Sequence, residues 1–219
     1  MKDTKYSAFV PFYCFGTLVL FVVILLITPT RQAFETVTQA YPYGMGFVKF
    51  ALLALCGELL AKRISEKSWS VPNAVLVRFF LWGLIGIWIT YMMKINSAGV
   101  GALMQAGLLP GGNHKFLKAL FTSITMNLTF APTFMAVHKC SDCWLDLKTR
   151  QLSYTVKDIV QSIDWISFVK FTLFRTIPLF WIPAHTVTFL LPETYQVMLA
   201  AMLSVALGII LSMKTKQKA

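Results

Sequence analysis

The chain has 219 residues, of which 57% are hydrophobic and 13% charged, and its formal net charge is +11. A chain this apolar cannot enclose its hydrophobic side chains in one soluble core of this size. The composition therefore excludes an ordinary soluble domain and indicates an all-α integral membrane protein. The basic residues lie beside apolar stretches and form no stripe with aromatic residues, which argues against nucleic acid and favours anionic lipid headgroups as partners.

Uncharged stretches predict about six membrane-spanning helices, because about 20 helical residues cross the hydrocarbon core of a bilayer. Lys49 and Arg78 lie near span ends, from where their side chains can extend to the interface. The uncharged segment 98–112 contains Pro110 and several glycines, and it is predicted to be a loop or re-entrant segment. The predicted spans are residues 6–30, 46–64, 75–93, 119–137, 168–191 and 194–213.

The orientation of the predicted bundle follows from its basic residues. With six spans both termini share a side, and most basic residues outside the spans fall there, from Lys2 and Lys5 through Arg150 to Lys218. Lys and Arg favour cytoplasmic loops, so both termini are predicted in the cytosol or its organellar equivalent. Whether the membrane is a bacterial inner membrane or an organelle membrane stays open, as does a homo-oligomer. The opposite side receives Arg31, Lys94, Lys115 and Lys118.

A short amphipathic helix is predicted between the fourth and fifth spans. Its apolar residues repeat at helical spacing, as in helices that lie on a membrane surface. The favoured interpretation is a connector resting on lipid. These residues are Leu152, Val156, Ile159, Val160 and Ile163.

Two ionisable residues fall within predicted spans, Glu58 in the second and Arg175 in the fifth. Such groups are costly in a bilayer and usually face a bundle interior or a water-filled cavity. A buried guanidinium needs a carboxylate or several carbonyl groups, so we predict that Glu58 and Arg175 pair. The alternative for Glu58 is an interfacial pair with Lys62, one helical turn later.

The fifth span is predicted to be a broken helix, because Pro178 and Pro183 each remove a backbone hydrogen bond. Polar groups beside such breaks occur along substrate paths in channels and transporters. A kinked packing helix is the alternative, since neighbouring helices can satisfy the freed groups. The predicted kinks are at Pro132, Pro178, Pro183 and Pro192, and the candidate path residues are Glu58, Asn127, Arg175, His185 and Thr188.

The cysteines and histidines predict no metal site and no catalytic centre. Cys14 and Cys56 are expected to be buried like apolar residues. Cys140 and Cys143 form one CxxC beside His138, which is half of a zinc site, and two reduced thiols are favoured over a redox pair. The chain contains no hydrolase, nucleotide-binding or metalloprotease motif, so we expect no enzyme and no cofactor.

Several motifs resemble the family of the peroxisomal membrane protein of about 22 kDa, which includes mitochondrial inner-membrane relatives. The segment 129–134 (TFAPTF) lies in the fourth span, and an aromatic and polar pattern precedes Pro192 and the last helix. The similarity covers Gly44 to Ser212, so the span at 6–30 would be an addition to a core at 44–213. The matching residues are Gly57, Phe130, Ala131, Trp181 and Phe189.

The chain departs from the family pattern at several positions. His185 stands where the family prefers Gln, Thr188 where it prefers Asn, Gln196 where it prefers Arg, and Leu207 where a Trp is common. The resemblance implies a pore-forming or metabolite-handling protein of organelle membranes. We therefore expect one membrane domain over residues 1–219 that acts as a channel or transporter for small hydrophilic solutes. The alternative is a non-conducting structural or lipid-interacting protein whose polar residues hold helices together.

Overall fold

The computed structural model describes residues 9–67, 69, 71, 74–149 and 154–216, with side chains described through residue 207. The described part is all-helical, without a strand. Lys2, Lys5, Arg150 and Lys218, used to predict the orientation, and Leu152 of the predicted amphipathic helix lie outside these residues. The helices are α1 (Phe9–Leu26), α2 (Thr28–Ala40), α3 (Pro42–Glu66), α4 (Val75–Gln105), α5 (Lys115–Thr129), α6 (Ala131–Thr149), α7 (Val156–Gln161), α8 (Trp165–Ser167), a π-helical segment (Phe168–Trp181), α9 (Ile182–Leu190) and α10 (Glu193–Lys216).

Four helical segments are long and apolar enough to cross a membrane, and a fifth is added if α5 and α6 are one bent span. The four are α1, α3, α4 and the continuous segment Trp165–Leu190. They confirm an all-helical protein with several apolar, span-length helices. The sixth predicted span coincides with α10, of which Glu193–Leu207 forms a shorter apolar helix.

The described residues form two compact units. One contains the residues up to Tyr91 and those from Pro192 onward, and the other contains Met92–Leu191. In the first unit α3 packs along α10, with α1 and α2 beside α3. In the second unit α5 packs chiefly against α9. Each unit thus has its own packed helix pair.

Two segments differ from the prediction. Residues 98–105, expected in a loop, continue α4, because this half of the segment contains no proline and Gly99 faces open space. The turn that follows uses Gly107, Gly111 and Gly112, which all have positive φ. Residues 28–40, partly assigned to the first span, form the separate helix α2, with a proline in its first turn.

The prolines agree with the prediction at Pro132 and differ from it in the fifth span. The kink predicted at Pro132 is confirmed, because the predicted fourth span bends by 46° between α5 and α6, where Pro132 lacks the backbone N–H that would bond to the preceding turn. The fifth span, expected to be broken, continues through Pro178 and Pro183. Its π-helical turns are wider than α-helical turns and hold Pro178 without ending the helix. At Pro192 the helix does end, with Leu191 extended as residues before proline usually are.

The predicted amphipathic helix is present as α7, shorter than expected. Thr155 and Asp158 form a reciprocal capping box that begins the helix at Val156. Hydrogen bonds from the side chain and backbone of Thr155 hold the pKa of the exposed Asp158 below its usual value. Because the ionised carboxylate accepts these bonds, the cap is present above the usual pKa of an Asp and is lost as pH falls through the lowered pKa.

Two glycines let α3 and α4 approach closely within the first unit. A Cβ on Gly86 would overlap with the carbonyl oxygen of Gly46, and a Cβ on Gly46 would lie 2.9 Å from the carbonyl oxygen of Gly86. Backbone atoms cannot move aside as a flexible side chain can. The contact therefore requires a residue without a side chain at both positions.

Gly86→Ala is expected to lower the free energy of unfolding by about 1–3 kcal/mol, because the added methyl group forces the two helices apart. Denaturation of the detergent-solubilised protein measures the change. Gly16→Ala is the matched control, since a Cβ there meets no atom within 4 Å. Equal stability of the two variants would contradict the close packing of α3 on α4.

Candidate functional site

A buried polar cluster lies between α5 and α9 in the second unit. Three polar residues of α5 lie on the face that packs against α9. They are Thr122, Ser123 and Asn127, which are 1%, 0% and 0% exposed. His185 on α9 and Trp181 just before it complete the cluster. We call these five residues the polar cluster.

The hydrogen bonds of the polar cluster form a chain from α5 to α9. The Ser123 hydroxyl donates to the carbonyl oxygen of Ile182 at 2.7 Å. Asn127 Nδ2 donates to the Ser123 carbonyl oxygen at 2.8 Å and lies 3.3 Å from the Ser123 hydroxyl. His185 Nδ1 lies 3.0 Å from Asn127 Nδ2 and 3.2 Å from Asn127 Oδ1. The amide therefore joins the two helices through the imidazole.

The hydrogen bond between His185 and Asn127 can form in two ways. Asn127 can use both N–H groups on Ser123 and accept a hydrogen bond from a protonated Nδ1 with its Oδ1, or it can donate to an unprotonated Nδ1. The second arrangement places the proton of a neutral imidazole on Nε2. The His185 ring stacks on Trp181 with centroids 5.1 Å apart, which fixes its plane.

Two further polar atoms of the cluster are buried without a hydrogen-bond partner, Thr122 Oγ1 and Trp181 Nε1. Burial of such a group without a partner costs about 1–3 kcal/mol. Most buried polar groups are paired with protein atoms or ordered water. These two atoms give the cluster unused hydrogen-bonding capacity.

The other predicted path residues lie elsewhere. Thr188 is fully buried, but its hydroxyl donates to the Ala184 carbonyl oxygen of its own helix. Arg175 is exposed on the π-helical segment. Glu58 belongs to the first unit. The structure thus brings together Asn127 and His185, which the sequence placed in two different spans.

Arg175 is the predicted partner of Glu58, but the structure gives the Glu58 carboxylate two partners within the first unit. Glu58 Oε1 accepts a hydrogen bond from Arg78 at 2.7 Å, and Glu58 Oε2 accepts one from Trp82 at 3.0 Å. Arg78 was expected to extend to the interface, yet its side chain is only 13% exposed. The short connection between α3 and α4 brings the first turns of α4 beside Glu58, so a partner nearby in sequence binds the carboxylate.

Sequence reasoning missed the environment of Lys49. Its side chain is 1% exposed, although it was expected to extend to the interface. The ammonium donates to Thr38 Oγ1 at 3.1 Å and to the Thr194 carbonyl oxygen at 2.9 Å, and it lies 4.4 Å from the centre of the Phe34 ring. We call these three acceptors the Lys49 cage.

The Lys49 cage joins α2, α3 and α10 of the first unit through neutral acceptors and an aromatic face. The neighbouring residues extend the same contact, because Tyr195 stacks near Phe34 and its hydroxyl donates to the carboxylate of Glu35. One signal in the sequence could have revealed the cage. Lys49 lies seven residues inside α3, and the helix before it carries Phe34 and Thr38 on one face, four residues apart.

The family-motif residues have packing roles. Gly57 lies so close to α10 that a Cβ would be 2.9 Å from Val205 Cα. Phe130 and Ala131 are buried at the junction of α5 and α6. Phe189 is half-buried on α9. Trp181 alone among them belongs to the polar cluster.

The thiols and carboxylates of the described residues form no group of three or more that could hold a metal ion together with histidine. All four cysteines are free, with Cys140 and Cys143 half-buried on α6. No family model, curated protein or solved structure matches the chain.

Proposed function

We propose that this protein is a membrane channel or transporter for small hydrophilic solutes, with the polar cluster of α5 and α9 on its path. The carrying observation is the pair of buried, unpaired atoms Thr122 Oγ1 and Trp181 Nε1. A hydroxyl can donate and accept, whereas an indole N–H only donates. A polar solute or water molecule that reached either atom would satisfy it.

The chemistry of the cluster favours a hydrophilic solute without a large charge. Hydroxyl, amide, imidazole and indole groups offer donors and acceptors at fixed positions, and the cluster contains no carboxylate, ammonium or guanidinium group. Binding by such groups is weak enough for release, which conduction or transport requires.

The alternative is a non-conducting structural or lipid-interacting protein, and one observation favours it. The bonds of Ser123 and Asn127 connect α5 directly to α9. Interhelical hydrogen bonds of this kind stabilise helix pairs in membranes by about 0.6 kcal/mol on average. Under this proposal the polar cluster holds helices together and passes no solute.

Trp181→Phe and Thr122→Val separate the two proposals, because each removes an unpaired polar atom. Thr122→Val nearly preserves the shape of the side chain, whereas Trp181→Phe keeps an aromatic ring of smaller size. In liposomes loaded with a panel of neutral and charged small solutes, we expect wild-type protein to give flux and each variant to lower it about tenfold, the effect of losing roughly 1.4 kcal/mol of stabilisation along the path.

Thr188→Val is the matched control, since the Thr188 hydroxyl is bonded within its own helix. We expect it to keep wild-type flux. Silence of the wild-type protein across the whole panel, or flux that is unchanged in Trp181→Phe and Thr122→Val, would favour the structural alternative. That alternative also predicts that Thr122→Val raises stability, because it removes an unsatisfied polar atom and keeps the shape of the side chain.

We also propose a membrane topology and a family relationship for the chain. Counting α5 and α6 as one bent span and α10 as another gives six spans, with both termini in the cytosol or its organellar equivalent and anionic lipid headgroups against the basic face. Support for a remote relationship to the family of the peroxisomal membrane protein of about 22 kDa comes from the motif order, together with the close packing of Gly57 on α10.

A further inference from the structure

Cys14 of α1 and Cys56 of α3 face each other where the two helices pack. Both residues are 0% exposed and lie in one apolar cluster with Val10, Leu55 and Leu59. The Cys14 sulfur is 3.8 Å from the Cys56 carbonyl oxygen, and the Cys56 sulfur is 3.6 Å from the Cys14 carbonyl oxygen.

This reciprocity places the sulfurs between the same two backbone segments. A disulfide needs the sulfurs to approach to about 2.05 Å and needs side chains that point toward one another. Each sulfur already lies against the backbone of the other cysteine, so rotation about the two Cα–Cβ bonds is the motion that the cross-link requires. Val10 and Thr17, which lie about one helical turn from Cys14 on α1, have no thiol that could compete with Cys14 for Cys56.

We propose that Cys14 and Cys56 are a disulfide-forming pair that covalently joins the N-terminal helix α1 to α3. The co-reactant is a small neutral peroxide, which can enter an apolar region. One thiol is oxidised by hydrogen peroxide to a sulfenic acid with release of water, and the second thiol displaces the hydroxyl group as a second water. The two sulfurs lose two electrons in total, and the peroxide O–O bond takes them up.

The cross-link would close a loop between residues 42 positions apart in sequence. It restricts the unfolded chain and prevents α1 from leaving α3. In the reduced protein α1 is held by its Val10, Cys14, Thr17 and Phe21 face and by the hydroxyl of Tyr13, which donates to the Leu52 carbonyl oxygen at 3.1 Å. The proposal does not depend on the transport function.

The test uses full-length protein in detergent micelles or liposomes, in a Cys140→Ser, Cys143→Ser background that removes the other two thiols. After treatment with hydrogen peroxide we expect the intact mass to fall by two hydrogens. Thiol labelling under denaturing conditions should be lost at both positions, and peptide mass spectrometry should find Cys14 linked to Cys56. A phosphine reductant should restore both thiols.

Displacing one thiol tests the geometry. In Cys14→Ser, Thr17→Cys protein the new thiol lies about one turn along the same buried face of α1. We expect at least tenfold slower cross-linking to Cys56 in this variant. Persistent labelling of both thiols in the peroxide-treated parent protein would overturn the proposal. Equally fast cross-linking of the displaced thiol would also overturn it, because contact between mobile helices would then suffice.

Discussion

Lys49→Glu is expected to lower the free energy of unfolding by about 3–5 kcal/mol, because it buries a carboxylate without a cationic partner. The acceptors that surround the ammonium are the Thr38 hydroxyl, the Thr194 carbonyl oxygen and the face of the Phe34 ring. The last two repel an anion. Titration of micelle-solubilised protein with a denaturing detergent, followed by circular dichroism, measures the loss.

Lys49→Met is the matched control, since it keeps most of the volume of the side chain and removes the charge. Replacing a buried charged group by an apolar one of similar size is often close to neutral, so we expect a change within about 1.5 kcal/mol of wild type. If Lys49→Met were as unstable as Lys49→Glu, the charge in the cage would not be the determining feature, and lost packing would explain both results.

Glu58 and Arg78 are expected to show a coupling energy of about 1–3 kcal/mol in a double-mutant cycle with Glu58→Gln and Arg78→Met. Their hydrogen bond is charge-assisted, at 2.7 Å, and the two side chains are 27% and 13% exposed. Each single substitution leaves a partly desolvated group without its partner. The unfolding free energies of wild type, both single variants and the double variant give the coupling.

Glu58→Gln combined with Arg175→Gln provides the control cycle, because Arg175 is exposed and Glu58 is bound by Arg78 and Trp82. We expect these effects to add within about 0.5 kcal/mol, as for sites without a shared partner. A larger coupling with Arg175 than with Arg78 would contradict the partner assignment in the structure.

Long apolar stretches were the most predictable feature of the fold. Four of the predicted spans overlap helical segments of span length, and the fourth predicted span overlaps the bent pair α5 and α6. Proline effects were less predictable, because a missing N–H can end a helix, bend it or be accommodated by wider turns. Pro192, Pro132 and Pro178 show these three outcomes in one chain.

The candidate site could be predicted only in part. Asn127 and His185 were singled out because polar groups in apolar spans need partners, and the structure pairs them at 3.0 Å. Their contact depends on which faces of α5 and α9 meet. Thr122 and Trp181 were not selected as path residues, because a threonine or a tryptophan in a span is ordinary until its polar atom proves to be buried and unpaired.

The sequence by itself determined the class of this protein, because apolar content and the length of uncharged stretches depend on composition and local order alone. It could not determine which charged side chains pair with each other. Several basic residues could reach Glu58 in a helical bundle, and the packing of α4 on α3 brings Arg78 to it. Lys49 likewise resembles an interfacial lysine in sequence, and only the convergence of α2, α3 and α10 turns it into a fully buried cation held by neutral acceptors. Apolar burial follows from composition because it is non-directional, whereas hydrogen bonds and ion pairs depend on distances that tertiary packing sets.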